Sequence, residues 1–253
     1  MISALPVQGL PEITPGFDLA EAVVRALASG PVPESLLPGD VLVIAHKAVS
    51  KSEGRIASLP DVVPGAQALQ LASELDKDSR QVQVVLDESV AVIRASGGVL
   101  ITETRHGFIC ANSGVDASNV PGEEIVVMLP LDPDASARAL RARLLELCDV
   151  APAVVITDSF GRAWRVGQCD VAIGCAGLEP VEDWRGTVDA RGCELHATMI
   201  AVADELAAAA DLARRKDGDQ PVVLVRGAQR HVVSGDGPGA AALIRAREQD
   251  LFR

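Results

Sequence analysis

Ala91-Val92-Ile93-Arg94, Val99-Leu100-Ile101-Thr102 and Phe108-Ile109-Cys110-Ala111 follow closely on one another, broken by Gly97-Gly98 and by Arg105-His106-Gly107. Short apolar runs bounded by glycine-bearing turns read as strands joined in hairpins. Strands joined so tightly run antiparallel, because a parallel connection needs a crossover of about a dozen residues or more.

Outward from these hairpins, helices and further strands frame them. Residues 66–88 read as helical through Leu69, Leu75, Val82, Val85 and Leu86, with Asp76-Lys77-Asp78-Ser79 dividing the segment. Earlier, Asp18 is placed to N-cap a helix carrying Leu19, Val23, Val24 and Leu27, which should stop near Gly30-Pro31. After Pro38-Gly39, the run Val41-Leu42-Val43-Ile44-Ala45 reads as a buried strand that empties into His46-Lys47-Ala48-Val49-Ser50-Lys51-Ser52-Glu53-Gly54-Arg55. Downstream, Ile125 to Leu129 is another strand, and Pro133-Asp134 opens a helix through about Cys148 whose Arg138, Arg141 and Arg143 read as a solvated face. Val154-Val155-Ile156 is a strand, Leu195 to about Ala213 an Ala-rich helix, Val222 to Val225 a late strand, and Gly239 to about Glu248 a closing helix. Neither an internal repeat nor a low-complexity linker interrupts the 253 residues, which read as one unit or two intimately packed subdomains.

Composition removes several classes. A formal charge of −12 opposes a general nucleic-acid surface, and 2% aromatic residues leave few platforms on which bases stack. The chain has no apolar stretch long enough for a bilayer and no basic, apolar leader at Met1-Ile2-Ser3-Ala4-Leu5-Pro6, so a cytoplasmic protein without membrane partners is expected. Cys110, Cys148, Cys169, Cys175 and Cys193 form no CxxC pair, which speaks for reduced thiols and against structural zinc. An anionic substrate would need a local basic pocket.

Candidate chemistry lies where apolar runs end. Ile156-Thr157-Asp158-Ser159-Phe160-Gly161-Arg162-Ala163-Trp164-Arg165 turns from strand to acid, hydroxyl and arginines; Asn112-Ser113-Gly114-Val115-Asp116-Ala117-Ser118-Asn119 sets a second acid among small polar residues. Either aspartate alone could equally satisfy a turn or helix cap. Together they suit one hard cation, since Mg²⁺ is commonly held by one or two carboxylates plus substrate phosphates. Lys51 follows a strand as a phosphate-binding lysine does, but without the P-loop pattern. Arg55, Arg162 and Arg165 can grip carboxylate or phosphate oxygens, Arg55 by itself reading better as an ion pair. His46 alone reads as a structural histidine, Cys110 as core, and Ser159 lies in no nucleophile elbow.

Five segments together resemble one family: Gly9-Leu10-Pro11, Val49-Ser50-Lys51-Ser52-Glu53-Gly54-Arg55, Gly114 to Asn119, Ile156 to Arg165, and Val202-Ala203-Asp204-Glu205. Leu131-Asp132-Pro133-Asp134 and Val225-Arg226-Gly227 extend the resemblance from about Val7 to Gly227. The family is the coenzyme F-420:L-glutamate ligases (coenzyme F-420-0:gamma-glutamyl ligases). The resemblance implies an α+β fold with mixed, largely antiparallel sheets and packed helices, and a homodimer. It implies a GTP-dependent enzyme that adds L-glutamate, through gamma linkages, to the deazaflavin coenzyme F-420-0 with Mg²⁺ or Mn²⁺, and with K⁺ as activator.

By the same resemblance the nucleotide falls near Gly9, Leu10, Pro11, Glu12, His46, Lys47, Lys51 and Asn119. One divalent ion falls on Asp116 and Asp158, and a second near Ser159, with Asp217 as the further ligand that aligns. Lys51, Asp116 and Asp158 carry the catalysis. His46-Lys47 stand where similar sequences often have small hydroxyl residues, Ser159 where they have threonine, and the loop Arg214 to Gln220 departs most. Some relatives continue into a flavin-binding domain; an end at Arg253 implies the stand-alone form. Two alternatives stand beside this reading: another metal-dependent acid–amine ligase, or a nucleotide-binding module without turnover.

Overall fold

The computed structural model describes residues 1–30, 34–117, 124–215 and 218–250. The chain opens with β1 (Ser3–Pro6), α1 (Leu19–Ser29), β2 (Val41–Ala45), α2 (His46–Ser52) and β3 (Ile56–Ser58). Next come α3 (Ala66–Leu75), α4 (Ser79–Asp87), β4 (Ser89–Ser96), β5 (Val99–Thr104), β6 (Ile109–Ala111) and β7 (Ile125–Val127). The second half holds α5 (Pro133–Cys148), β8 (Ala153–Arg162), β9 (Arg165–Ala176), β10 (Glu182–Asp183), β11 (Met199–Ile200), α6 (Val202–Ala213) and β12 (Val222–Arg226). The fold is α+β, with open sheets whose pairings are mostly antiparallel.

A five-stranded sheet, ordered β1-β12-β2-β8-β9, carries the molecule, and only its β2–β8 pair is parallel. Along β2, Leu42 and Ile44 pack with α1 and α5, while Val41 and Val43 pack with α6. Both faces of the strand are therefore buried, which is why its sequence is a continuous apolar run rather than an alternating one. The antiparallel β4-β5-β6 sheet forms a separate core with α3 and α4, around Leu100, Val82, Val85 and Leu75.

Helix boundaries follow local chemistry. Asp18 caps α1 by accepting from Glu21 N at 3.0 Å, and Asp132 caps α5 by accepting from Ala135 N at 2.8 Å. The segment 66–88 divides as its polar interruption predicts: α3 ends with Asp76 in the left-handed region, and Asp78 caps α4. One close approach demands glycine: a Cβ on Gly174 in β9 would lie 2.4 Å from Pro133 O at the start of α5.

The structure corrects several sequence expectations. β2 ends at Ala45 as expected, and residues 46–52 beyond it form α2, which the sequence reading had not assigned. The helix expected from Leu195 begins only at Val202, because Met199–Ile200 is paired with Glu182–Asp183 as the β10–β11 hairpin. The expected closing helix is reduced to two short 3₁₀ turns, Ala240–Leu243 and Arg247–Gln249. Asp134 holds the first of these, accepting from Ala240 N at 2.7 Å and also from Cys175 N at 2.8 Å. The strand β9 was not anticipated, and β8 runs on through Asp158-Ser159 to Arg162 rather than ending before them. No helix among the described residues is long and apolar enough to cross a membrane.

Candidate functional site

The carboxyl ends of β2 and β8 lie side by side, Ala45 opposite Thr157, and the chain carries a reactive residue just beyond each. Such paired parallel ends are where open sheets commonly form ligand crevices. Here they floor a cleft of about 730 Å³. Its lining includes Leu10, Pro11 and Glu12 from the loop after β1, His46, Lys47 and Lys51 from α2, Asp116, and Asp158 with Ser159 from β8.

Nine residues singled out from sequence thus share one space, although they come from four separate stretches of chain. Gly9 adjoins the cleft through Leu10 and turns the chain with φ +80. Asn119 and Asp217 lie outside the described residues. Arg162 and Arg165 sit at the exposed far end of the β8–β9 hairpin and are not among the cleft residues. Arg55 is a structural pin: it donates to Leu129 O at 2.9 Å and meets Glu88 at 2.6 Å.

Two basic side chains of α2 cross the cleft to acids on other segments. Lys47 Nζ lies 2.7 Å from Asp116 Oδ2, and Lys51 Nζ donates to Glu12 Oε1 at 3.0 Å. The cleft thus mixes both signs of charge, with Lys47 and Lys51 as ammonium groups set among its acids.

Asp116 is aimed by an unusual stretch of backbone. Asn112, Ser113 and Gly114 take φ of 53, 52 and 70, a left-handed turn just upstream. Asn tolerates left-handed φ, but at Ser113 it is unfavourable and must be held by neighbouring structure. The hold comes from Thr102 on β5, whose Oγ1 accepts from Ser113 N at 2.9 Å and lies 2.7 Å from Ser113 Oγ. Beyond the turn, Asp116 exchanges both backbone hydrogen bonds with Val127, at 3.0 and 2.8 Å.

Asp158 and His46 meet with Oδ1 3.4 Å from Nε2, and the imidazole is only 2% exposed. Its other nitrogen, Nδ1, lies 3.3 Å from Ser50 Oγ. Burial pushes the Asp158 carboxyl up, but the His46 charge and the Ser159 N–H, which donates to Oδ1 at 2.8 Å, outweigh it. Asp116 is near enough for its charge to act in the raising direction, yet the balance leaves Asp158 below the ordinary aspartate value.

The chain's contribution to a cation here consists of oxygens: two neighbouring carboxylates and a hydroxyl. That set fits Mg²⁺ or Mn²⁺, which favour carboxylate, water and phosphate oxygens. Among the described residues no group of three or more His, Cys, Asp and Glu side chains gathers into a metal cage. A cation at Asp116 and Asp158 would therefore complete its shell from ligand oxygens or water.

Sequence reasoning overlooked Asp170 and Arg214, which line the cleft from the other face of the sheet. Asp170 accepts from Thr157 Oγ1 at 2.8 Å, Ser159 Oγ at 2.6 Å and Arg214 Nη2 at 2.7 Å. Its signal was the mirror image of that for Asp158: an acid immediately before an apolar run, Val171-Ala172-Ile173.

Comparison with known proteins places the chain in a family. The sequence profile described as F420-0:Gamma-glutamyl ligase matches residues 9–227, a span that contains every cleft residue named above. The coenzyme F420:L-glutamate ligase of Methanothermobacter thermautotrophicus is 43% identical over 253 residues, covering 100% of this chain and 99% of the relative. Its counterpart from Methanopyrus kandleri is 43% identical over 96% of this chain and 94% of its own length. That from Archaeoglobus fulgidus is 40% identical over 100% and 96%. With the match running from the loop after β1 to the turn after β12, the chain belongs to the F420-0:gamma-glutamyl ligase family.

Proposed function

We propose that this chain is a GTP-dependent ligase that joins L-glutamate through gamma linkages to the deazaflavin coenzyme F-420-0, and so acts in coenzyme F-420 biosynthesis. Family membership supports glutamate ligation, and one observation carries the GTP and cation reading. Lys47 and Lys51 stand in the same cleft as the oxygen donors Asp116, Asp158 and Ser159. Ammonium groups beside paired carboxylates suit a polyphosphate that arrives with its divalent ion.

A carboxylate is a poor acyl donor and must be activated before an amine can displace anything from it. In the reaction proposed, an acceptor carboxylate oxygen attacks the γ-phosphorus of GTP, the β–γ bridging bond breaks, and GDP leaves. The glutamate amine then attacks the acyl carbon of the resulting acyl phosphate, inorganic phosphate leaves with the bonding pair, and the amine loses a proton. Little covalent chemistry falls to the protein, whose work is alignment and charge neutralisation.

Lys51 neutralises nucleotide phosphate, and the Leu10-Pro11-Glu12 loop borders the nucleotide. Asp116 and Asp158 would hold one Mg²⁺ or Mn²⁺ and Ser159 would contribute to a second, these ions supplying charge neutralisation at the transferring phosphoryl group. His46 keeps Asp158 ionised and in place. K⁺ activation and a homodimer belong to the same reading.

The test is incubation of purified protein with GTP, L-glutamate, Mn²⁺ and the unglutamylated cofactor, followed by mass spectrometry. A glutamate increment with stoichiometric GDP and phosphate is expected, and it should be lost in Asp116→Asn and Asp158→Asn. GTP binding without turnover would point instead to a nucleotide-binding module; turnover with another carboxylate alone would point to a different acid–amine ligase.

A further inference from the structure

Asp170 is the most heavily bonded acid of the cleft, and the reaction proposed above gives it no part. It is 4% exposed, sits on β9 opposite Ser159, and faces the α6 side of the sheet. Its Oδ1 accepts from Ser159 Oγ at 2.6 Å. Its Oδ2 accepts from Thr157 Oγ1 at 2.8 Å and from Arg214 Nη2 at 2.7 Å, and Arg214 Nη2 also donates to Thr157 Oγ1 at 3.1 Å.

A serine hydroxyl has one proton and two lone pairs. With its proton directed to a carboxylate, Ser159 can meet anything in the cleft only as an acceptor. That is the orientation an oxygen ligand needs, and a charged acceptor behind the hydroxyl also makes the oxygen a better donor of electron density. The same rung holds Asp158, because Ser159 N donates to Asp158 Oδ1 at 2.8 Å. Arg214, immediately after α6, extends the network from the sheet to the end of that helix, and Asp219 and Gln220 line the same cleft.

We propose that Asp170 is a positioning residue that orients the Ser159 hydroxyl as a cation ligand and, through Arg214, ties the end of α6 to the cleft. The inference rests on the cation reading under "Proposed function" and adds to it a residue that need not touch the ion.

The experiment is Mn²⁺ titration of the purified chain, followed by electron paramagnetic resonance of the free ion, for wild type, Ser159→Ala, Asp170→Asn and the double variant. Ser159→Ala and Asp170→Asn should each weaken Mn²⁺ binding about tenfold, a typical effect of removing an outer-shell partner. Acting through the same hydroxyl, the two should not add: the double variant should bind as weakly as Ser159→Ala and no weaker. If Asp170→Asn lowered the melting temperature but left Mn²⁺ affinity intact, or if its effect added in full to that of Ser159→Ala, the positioning role would be overturned.

Asp170→Asn leaves the buried Arg214 charge without its carboxylate, a change that destabilises the fold. Asp170→Asn/Arg214→Met removes both charges together and should show the same non-additivity with Ser159→Ala. An unchanged Mn²⁺ affinity in Ser159→Ala, or no Mn²⁺ binding by wild type, would remove the cation reading first and this inference with it.

Discussion

His46 and Asp158 face each other across the ends of two neighbouring parallel strands, with Nε2 of a nearly inaccessible imidazole 3.4 Å from the carboxylate. A buried carboxylate by itself would tend to take up a proton. The histidine opposite it, together with the Ser159 N–H, reverses that tendency and keeps the acid ionised in a place where its burial also fixes its direction.

Lys47 occupies the carboxylate of Asp116 that the proposed cation would use. Its ammonium lies 2.7 Å from that carboxylate, so Lys47→Met should bind Mn²⁺ more tightly in the absence of nucleotide. For a partly exposed pair the gain should be modest, about threefold to tenfold. The same variant should need more GTP to saturate. Weaker Mn²⁺ binding in Lys47→Met would show that the lysine assists the ion rather than standing in its place.

Thr102→Val tests the backbone that aims Asp116. The substitution preserves shape but takes away the oxygen that accepts from Ser113 N, leaving a buried donor unsatisfied at a cost of about 1–3 kcal/mol. The urea midpoint should fall, and amide exchange at Val115 and Asp116 should quicken. Wild-type exchange at those two amides would mean that the left-handed turn is held by something other than Thr102.

Asp204 gives a pH dependence of known sign. Burial raises its carboxyl pKa, and the hydrogen bond from Ala172 N only partly offsets this. The folded state therefore holds the proton more tightly than the unfolded state, and stability contributed by the protonated form is lost as pH rises through the folded pKa. Asp204→Asn keeps an acceptor for Ala172 N and discards the desolvated charge. It should melt above wild type at pH 7, with the advantage shrinking as pH falls toward 3.8. Thermal melts across that range decide the matter; an advantage independent of pH would rule out the charge as its cause.

Thiol reactivity should divide along burial. Cys110 is pushed up to about 12 by burial and the Asp158 charge, and Cys175 up to about 12 by burial with Asp134, Glu179 and Asp204 near it. At pH 8 only about one such thiol in ten thousand would be thiolate, the reactive form. Iodoacetamide on native protein should therefore label exposed Cys193 and leave Cys110 and Cys175 intact, as read by peptide mass spectrometry. Early labelling of Cys110 would place Asp158 in a far wetter setting than its contacts indicate.

The features legible in the sequence are those with a local cause. Val41 to Ala45 is apolar at every position because both faces are covered, and Asp18, Asp78 and Asp132 mark helix starts because each caps its own backbone. The β4–β5–β6 hairpins announce themselves through their turns. Features fixed at a distance were hidden. Leu195 and Met199 have helical spacing, yet the chain there pairs in the β10–β11 hairpin. Gly239 onward is alanine-rich, yet Asp134, more than a hundred residues earlier, seizes its first amides. For the site, motifs at the ends of apolar runs led to Lys51, Asp116 and Asp158, whereas Asp170 and Arg214 gain their meaning only from cross-strand register and from where α6 delivers its end.

That register depends on one extra residue. Ile156 pairs with Gly174 but Thr157 pairs with Ala172, so Ile173 is a bulge that resets the alternation of β9. Were the ladder unbroken, Asp170 would stand opposite Phe160 and point to the other side of the sheet from Ser159. The inner half of the hairpin is thus phased for the core and the outer half for chemistry, and the bulge is the point at which the two phases are joined. A ladder that took Ile173 in as a paired residue would leave every side chain of the cleft in the sequence while turning its acid away from the hydroxyls that it serves.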